Sequence, residues 1–399
     1  MPFLSLEFFL LSLGTALLLT TARGPLRAVV FGVACGWFLW SHLSPAGVLS
    51  TLTFCLAGYL CALIARRSGR FLAPCLALLV LAFVYLRNYS FLGLVLPDDW
   101  RTGILATAGL SFLFFKVLHV VVDAASGTLE RLRPVTYVLY CLNFTTFLLG
   151  PIQRYPDFER QWSGREPAIE PSFEAHVDAV NRVLRGLVKK FVVAEFLTGY
   201  ALQPGAEIAG LSTGEVLLGT YLFYFLLYFD FSGYCDVVIG VGALCGIRPP
   251  ENFHLPFLSP NVVEFWLRVH RSLTTWLTDY VFNPVYARSL RTHALGARPL
   301  FALSACLMLT LLVSGLWHGT TANFVVFGIA HGLLLIGYRA YERGMTAWIG
   351  RRGLVRLRAS RLWHVASVAL TFLATGAAYL PFVLDIENLT LFARRLAPA

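Results

Sequence analysis

The chain has 399 residues, of which 57% are hydrophobic and only 14% are charged, and its mean hydropathy is +0.68. Soluble domains carry roughly 25% charged residues, so this composition excludes an ordinary soluble protein and predicts that most of the chain lies in lipid. The formal net charge is +10, but the basic residues are dispersed at the edges of apolar runs, which argues against nucleic acid as a partner. The eight cysteines lie in apolar runs without a CxxC pair and predict small core residues, so no metal site is expected.

Apolar runs long enough to cross a bilayer recur along the whole chain. They predict an all-α, polytopic integral membrane protein with about ten to twelve membrane segments, including re-entrant or half-spanning helices. The runs are residues 3–21, 28–43, 47–65, 71–85, 104–124, 135–151, 183–202, 216–230, 233–246, 299–313, 322–338 and 365–384. The first run carries Glu7 and no basic start, so we do not expect it to be a cleavable signal peptide.

The distribution of arginines predicts the topology. Arg23 and Arg27 follow the first run, and further arginines follow the third. By the positive-inside rule these loops are cytoplasmic and the N-terminus is outside. The stretch 154–190 is also basic, although the run 135–151 separates it from a cytoplasmic loop. We therefore predict that the run 135–151 turns back or ends within the membrane.

The next polar feature is Asp230-Phe231-Ser232-Gly233-Tyr234-Cys235-Asp236. The Ser-Gly step predicts a break in the membrane segment at this point, and two carboxylates at membrane depth need partners. On a continuous helix, residues six apart face different directions, so an acid/base dyad is not expected. Structural pairing of Asp230 and Asp236 with an arginine such as Arg154 or Arg268 is the favoured interpretation.

Residues 262–282 predict a helix of about five turns, preceded by a stretch that is too rich in proline for a helix. At helical spacing Arg268, Arg271 and Asp279 share one stripe, along which they can pair, while His270 faces another side. The same composition is typical of an amphipathic helix that anchors to lipid headgroups, and this second interpretation stays open.

The segment Ser314-Gly315-Leu316-Trp317-His318-Gly319 places an imidazole between glycines at the end of one apolar run and just before another. An ionisable group at membrane depth is costly and indicates function. A neutral histidine can accept a proton near pH 7. The alternative is a structural histidine bonded to a neighbouring carbonyl group.

Five blocks in this order, residues 115–123, 149–155, 230–256, 265–282 and 312–332, resemble the membrane-bound O-acyltransferase (MBOAT) superfamily. The likeness is to its bacterial branch of alginate O-acetylation proteins and the teichoic acid D-alanylation transferase. Val269 stands where these relatives usually have Trp, and Asn283-Pro284-Val285-Tyr286 replaces a Pro-Leu-Gly-Gly turn. These departures leave the acyl donor and acceptor open.

The resemblance implies roles for individual residues. His318 corresponds to the catalytic histidine, a general base, and His270 to the second active-site position. Trp317, His270 or backbone N–H groups near Gly319 are candidates to stabilise an oxyanion. Further candidates for substrate binding or support are Asn252, Arg268, Arg271, Asp279, Asp230, Ser232, Asp236 and Arg154. It also implies a single MBOAT-type membrane domain over residues 1–399, with N-terminal helices at 1–100, a catalytic core at 105–340 and C-terminal helices at 341–399.

The implied function is a membrane O-acyltransferase. It would move an acyl group, expected to be acetyl, from an activated thioester to a hydroxyl of a cell-surface polysaccharide. The thioester, acyl-CoA or acyl carrier protein, is a co-substrate, and no tightly bound cofactor is expected. Expected partners are membrane lipids, the donor, a glycan acceptor and an extracytoplasmic protein. The setting is the bacterial cytoplasmic (inner) membrane, with helices around a central tunnel.

Other functions stay open at this point. An acyltransferase can act on a lipid or a teichoic-acid-type acceptor instead. A secondary transporter or flippase of a polysaccharide export system would line its path with the same ionisable residues. A non-enzymatic scaffold of an export complex is a further alternative.

Overall fold

A computed structural model describes residues 4–97, 109–165, 172–292 and 299–396, and within these ranges the chain forms helices and irregular segments without strands. This confirms the all-α prediction. Residue 3 and residues 104–108 of two predicted runs lie outside the described ranges. The helices are α1 Leu6–Thr21, α2 Pro25–His42, α3 Pro45–Arg67, α4 Leu72–Leu86, α5 Leu110–Ser126, α6 Pro134–Leu142, α7 Tyr155–Trp162, α8 Phe173–Val188, α9 Glu195–Thr198, α10 Thr213–Leu244, α11 Val262–Arg268, α12 Arg271–Leu277, α13 Asn283–Leu290, α14 Pro299–His318, α15 Ala322–Ala359, α16 Arg361–Ala377, α17 Leu380–Val383 and α18 Ile386–Leu396.

Six helical segments among the described residues are long and apolar enough to cross a membrane. They are Pro45–Arg67, Gly69–Leu86, Thr213–Leu244, Pro299–His318, Ala322–Ala359 and Arg361–Val383, and α1 is a shorter apolar helix. The protein is therefore a polytopic integral membrane protein. The sequence predicted about ten to twelve segments, some of them half-spans, where the structure shows six full-length candidates.

Helix α6 ends at Leu142 and is nine residues long. Its length of roughly 13 Å is less than half of the ~30 Å hydrocarbon core, which agrees with the expectation that the run 135–151 ends early. The irregular chain that follows is fixed by the buried Lys116 of α5, whose Nζ donates to the Tyr140 carbonyl at 3.3 Å and to Thr146 Oγ1 at 2.9 Å. The buried ring of Phe144 packs against Phe31 with centroids 5.7 Å apart. Buried polar and aromatic contacts thus replace the missing helix.

Helix α10 runs without interruption through Ser232 and Gly233, so the predicted break is wrong. In lipid a continuous helix satisfies every backbone group internally, and this outweighs the flexibility of a Ser-Gly step. Helix α8 packs closely against α10 at this point. An added Cβ at Gly186 of α8 would lie 2.6 Å from the Gly233 carbonyl oxygen. The small residue at position 186 thus serves helix packing.

The chain divides into two compact units. Unit 1 contains Met1–Val188 and Gly233–Glu251, and unit 2 contains Lys189–Ser232 and Asn252–Ala399. Helix α10 contributes residues to both units. The single domain with three consecutive segments stays a prediction.

Within unit 2, α14 and α15 pack in direct backbone contact. An added Cβ at Gly328 would lie 2.6 Å from the Leu311 carbonyl oxygen, so the two helices meet through small residues. Helix α15 reverses at Gly350, whose φ of 71° and ψ of 164° suit glycine. Beyond this turn Arg358 donates back to Tyr338 Oη at 3.1 Å and to Glu342 at 2.8 Å, which closes a helical hairpin.

Candidate active site

His270 lies at a break between two short helices. Helix α11 ends at Arg268, His270 has left-handed backbone angles (φ 42°, ψ 48°), and α12 begins at Arg271. The prediction of one continuous helix over residues 262–282 is therefore wrong. The single stripe inferred from that helix is wrong as well.

The break is held by the extended stretch that precedes α11. The backbone N–H of Arg271 donates to the Asn252 carbonyl at 2.9 Å, and the N–H of His254 donates to the Arg268 carbonyl at 2.9 Å. The buried Asn252 side chain adds two bonds, since its Oδ1 accepts from the Ser272 N–H at 3.1 Å and from Ser272 Oγ at 2.8 Å. Hydrogen bonds on both sides thus hold His270 in a conformation that non-glycine residues rarely adopt.

The His270 side chain lies among aromatic rings. Its ring centroid is 4.9 Å from that of Phe231, 5.7 Å from that of Trp317 and 6.3 Å from that of His318. Burial, helped by the neighbouring His318 ring, lowers the pKa of His270 to about 3. This imidazole is therefore neutral at pH 7.

His318 is the last residue of α14 and is half-buried. Its ring contacts those of Phe327 and Phe382, with centroids 5.5 and 5.6 Å apart. At Gly319 an added Cβ would overlap the ring of Phe324, so only glycine fits after the histidine.

Trp317 is buried beside both histidines, with its ring centroid 4.8 Å from that of His318 and 5.7 Å from that of His270. The sequence-predicted residues Asn252, His270, Trp317 and His318 are thus brought together in unit 2. The site consists of two imidazoles surrounded by aromatic rings. Asn252 holds the backbone next to His270 through its hydrogen bonds to Arg271 and Ser272.

The charged residues near His270 have other partners than predicted. Arg268 pairs with Glu264, one turn earlier, at 3.3 Å, and its Nη1 donates to the Leu258 carbonyl at 3.4 Å. Asp279 is exposed in the wide helical turn Thr278–Phe282, and Arg271 is exposed. The α11–α12 break separates Arg268 from Arg271 and Asp279, so the three do not share one stripe.

The acidic residues of α10 form ion pairs, as expected, but with different partners. Asp230 pairs with Lys190, a lysine rather than an arginine. Asp236 accepts from Arg182 Nε at 3.1 Å, and Arg182 also binds both oxygens of Glu251 at 2.5 Å.

The predicted supporting residues Asp230, Ser232, Asp236 and Arg154 do not all belong to the same unit. Asp236 and Arg154 belong to unit 1, whereas Asp230 and Ser232 belong to unit 2. Ser232 is buried beside Phe231, the residue that contacts His270. The two carboxylates are structural partners of basic side chains and do not form a dyad.

Two residues of the site escape prediction from the sequence. Ser272 carries the bonds to Asn252 and resembles any other helix-start serine. His331 of α15 is fully buried, and its ring lies 4.5 Å from Phe327, which also contacts His318. An ionisable residue within an apolar run was the available signal for His331. Among the described residues, no three His, Cys, Asp or Glu side chains come together as metal ligands would.

Comparison with known proteins adds relatives to this geometry. The chain is 33% identical over 240 residues to a probable alginate O-acetylase of Azotobacter vinelandii, which covers 60% of this chain and 46% of the relative. It is 28% identical over 293 residues to a teichoic acid D-alanyltransferase of Bacillus subtilis (72% of this chain, 73% of the relative). It is 29% identical over 212 residues to a peptidoglycan O-acetyltransferase of Helicobacter pylori (52% and 37%).

The chain spans about half the length of the alginate O-acetylases that it matches. The model of the MBOAT, membrane-bound O-acyltransferase family, matches residues 26–378, which include both histidines, Trp317 and Asn252. The chain therefore belongs to the membrane-bound O-acyltransferase family.

Proposed function

We propose that the protein is a membrane O-acyltransferase that transfers an acyl group from a thioester to a hydroxyl group of a cell-surface glycan. The observation that carries the proposal is the pairing of His270 and His318, whose ring centroids lie 6.3 Å apart beside the buried Trp317. At this separation the functional groups of one small acyl centre can contact both rings.

In the proposed reaction the acceptor hydroxyl oxygen attacks the thioester carbonyl carbon while His318 takes the hydroxyl proton. A positioned base of this kind typically contributes roughly 10²–10⁴-fold. The tetrahedral oxyanion then collapses, the C–S bond breaks, and the proton passes from His318 to the thiolate. The products are an ester and a free thiol. His270, neutral at pH 7, or the Trp317 indole N–H can donate to the oxyanion.

The names of the relatives support acetyl as the group and a glycan as the acceptor, because two of the three are O-acetylating proteins of alginate and peptidoglycan. The D-alanyltransferase makes a teichoic-acid-type acceptor the second candidate. A thioester, either acyl-CoA or acyl carrier protein, is the proposed donor, because attack by a hydroxyl group needs an activated acyl group. No tightly bound cofactor is proposed.

The deciding experiment measures acyl transfer by protein reconstituted in proteoliposomes. Labelled acetyl-CoA or acetylated carrier protein is supplied with a glycan acceptor, and ester formation is followed. His318→Gln keeps hydrogen-bonding capacity but cannot act as a base at pH 7, so transfer should fall at least ~10²-fold. His176→Gln, on the exposed face of α8, is the matched control and should transfer normally. A folded His318→Gln protein with wild-type activity refutes the proposed base.

We further propose that the reaction joins the two sides of a bacterial cytoplasmic membrane through a central tunnel, with an extracytoplasmic partner protein receiving or presenting the glycan. The reason is chemical: thioester donors are cytoplasmic, whereas surface glycans lie outside. Cysteines placed at Leu316 and Thr320, beside His318, can be probed with membrane-impermeant thiol reagents from each side. All eight native cysteines are buried, which keeps their background low. Labelling from one face only contradicts the tunnel.

A transporter or flippase is the second candidate and is disfavoured by α10. Transporter sites typically use discontinuous helices near the bilayer midplane, whereas α10 is continuous past Asp230 and Asp236. Glycan movement across proteoliposomes without ester formation would favour this candidate.

A further inference from the structure

A groove of about 500 Å³ lies within unit 2, apart from the two histidines. Two of its walls are the stretch of α15 from Leu333 to Tyr341 and the stretch of α16 from Trp363 to Ala374. Residues 260–262, where α11 begins, also line the groove. These stretches run antiparallel over about 12 Å at 1.5 Å per residue. A volume in this range is typical of small-molecule sites.

The two ends of the groove differ in chemistry. One end is largely apolar and contains Leu333, Leu334 and Ala374, with Thr371 as a polar neighbour, from the middle of segments that can cross the membrane. The other end contains Tyr341, Arg358 and polar neighbours, next to the reversal of α15. The groove is thus shaped for an amphiphile, with its tail at membrane depth and its headgroup at the membrane edge.

The chain next to the polar end is rich in arginine, and one of these arginines, Arg358, lines the groove. The segment 339–361 contains seven arginines and a single acidic residue, Glu342. In the described structure Arg358 uses its Nη2 to bind Tyr338 and Glu342, and a guanidinium has five N–H donors, so others remain for a phosphate oxygen. Arginines clustered at a membrane edge attract anionic lipids. Aromatic residues such as Trp363 and Tyr341 are typical of the headgroup level.

We infer that this groove binds one anionic glycerophospholipid, with its phosphate at Arg358 and one acyl chain between α15 and α16. A zwitterionic lipid offers the same chain but no net charge for the arginines. A soluble phosphate offers the charge but nothing for the apolar end. The inference does not depend on the proposed acyl transfer.

Gly337 provides a selective test. It lines the middle of the groove, and an added Cβ there meets nothing within 4 Å. Gly337→Leu therefore places a side chain in the groove without a backbone clash, and leucine favours a helix over glycine. Gly344 lies on the same helix with equally open space but does not line the groove. Gly344→Leu is the matched control.

The experiment measures lipid retained by the purified, delipidated full-length protein after addition of phosphatidylglycerol or phosphatidylcholine, using native mass spectrometry. We expect one phosphatidylglycerol per chain, retained at least tenfold better than phosphatidylcholine. Gly337→Leu should lose it, and Gly344→Leu should keep it. Arg358→Gln should lose the preference between the two lipids. If Gly337→Leu does not fold, Ala374→Leu fills the groove from the opposite wall.

Three results would overturn the inference. They are equal retention of the two lipids by the wild type, undiminished phosphatidylglycerol on folded Gly337→Leu protein, and displacement of the lipid by millimolar glycerol phosphate. The last result would indicate a site for the headgroup alone.

Discussion

Gly315 stands one helical turn before His318, and replacing it with alanine is the sharpest test of how α14 positions the base. The added Cβ would overlap the Phe324 carbonyl oxygen and lie 3.0 Å from Gly328 N and 3.1 Å from Gly328 Cα. All three are backbone atoms of α15, so no side chain can rotate to make room. The two helices must separate.

The size of the effect follows from this contact. Relieving the overlap requires a displacement of about 1 Å, and overpacking of this kind typically costs about 1–3 kcal/mol of stability. His318 moves with α14 while His270 is held by α12 and Asn252. A misplacement of about 1 Å at a reacting group can cost on the order of 10²-fold in rate. Gly315→Ala should therefore lose on the order of 10²-fold in kcat/KM while its stability falls by about 1–3 kcal/mol.

The assay is kcat/KM for acyl transfer in proteoliposomes, with the melting temperature of the same preparation in detergent. Gly337→Ala is the matched control, because its Cβ meets nothing within 4 Å; it should keep full activity and gain up to about 1 kcal/mol from helix propensity. Wild-type kcat/KM for Gly315→Ala would show that the spacing of α14 and α15 does not set the geometry of the base.

Three further predictions concern the α11–α12 region. Asn252→Ala leaves the Ser272 N–H and hydroxyl without their acceptor and should cost about 1–3 kcal/mol of stability, measured as a lower melting temperature. Asn252→Asp keeps the acceptor oxygen and should retain most of that stability. Equal losses in the two variants would contradict this prediction. The pKa of His270 is about 3 in the folded protein and roughly 6.5 in the unfolded chain. At pH values between these two, the unfolded chain binds a proton that the folded protein does not. Stability should therefore fall as the pH drops from about 6.5 toward 3. Melting scans from pH 7 to pH 4 should show a fall that His270→Gln reduces, and an unchanged slope would refute it. Arg271→Gln, at an exposed position beside His270, should raise KM for the anionic donor severalfold with little change in kcat; unchanged donor kinetics would favour lipid anchoring instead.

Composition and hydropathy predicted the membrane class and the all-α fold, because these depend on averages over many residues. The proximity of His270 to His318 followed only from the family resemblance, since nothing in local sequence connects positions 48 residues apart along the chain. The early end of α6 was also predictable, because the arginine pattern conflicts with a full crossing.

The errors have a common physical origin. The periodic pattern of residues 262–282 favours one helix. Hydrogen bonds with Asn252 and His254 stabilise a break in it, and these residues lie outside the periodic pattern. At Ser232-Gly233 the composition favours a break, but α10 continues as one helix and Gly186 of α8 packs against its backbone there. In both places tertiary contacts override local preference.

The buried Lys116 has a consequence for how the protein is made. Lys116 belongs to the run 104–124, which the sequence predicts as a membrane segment, and a lysine near the centre of such a segment costs about 2.5–3.5 kcal/mol to insert. Its acceptors at Tyr140 and Thr146 lie 24 and 30 residues later in the chain. At roughly 5–20 residues per second, synthesis reaches them a few seconds after α5 emerges. Helix α5 is therefore expected to remain at the insertion machinery until α6 and the following irregular segment arrive. The two should then enter the bilayer as one hairpin.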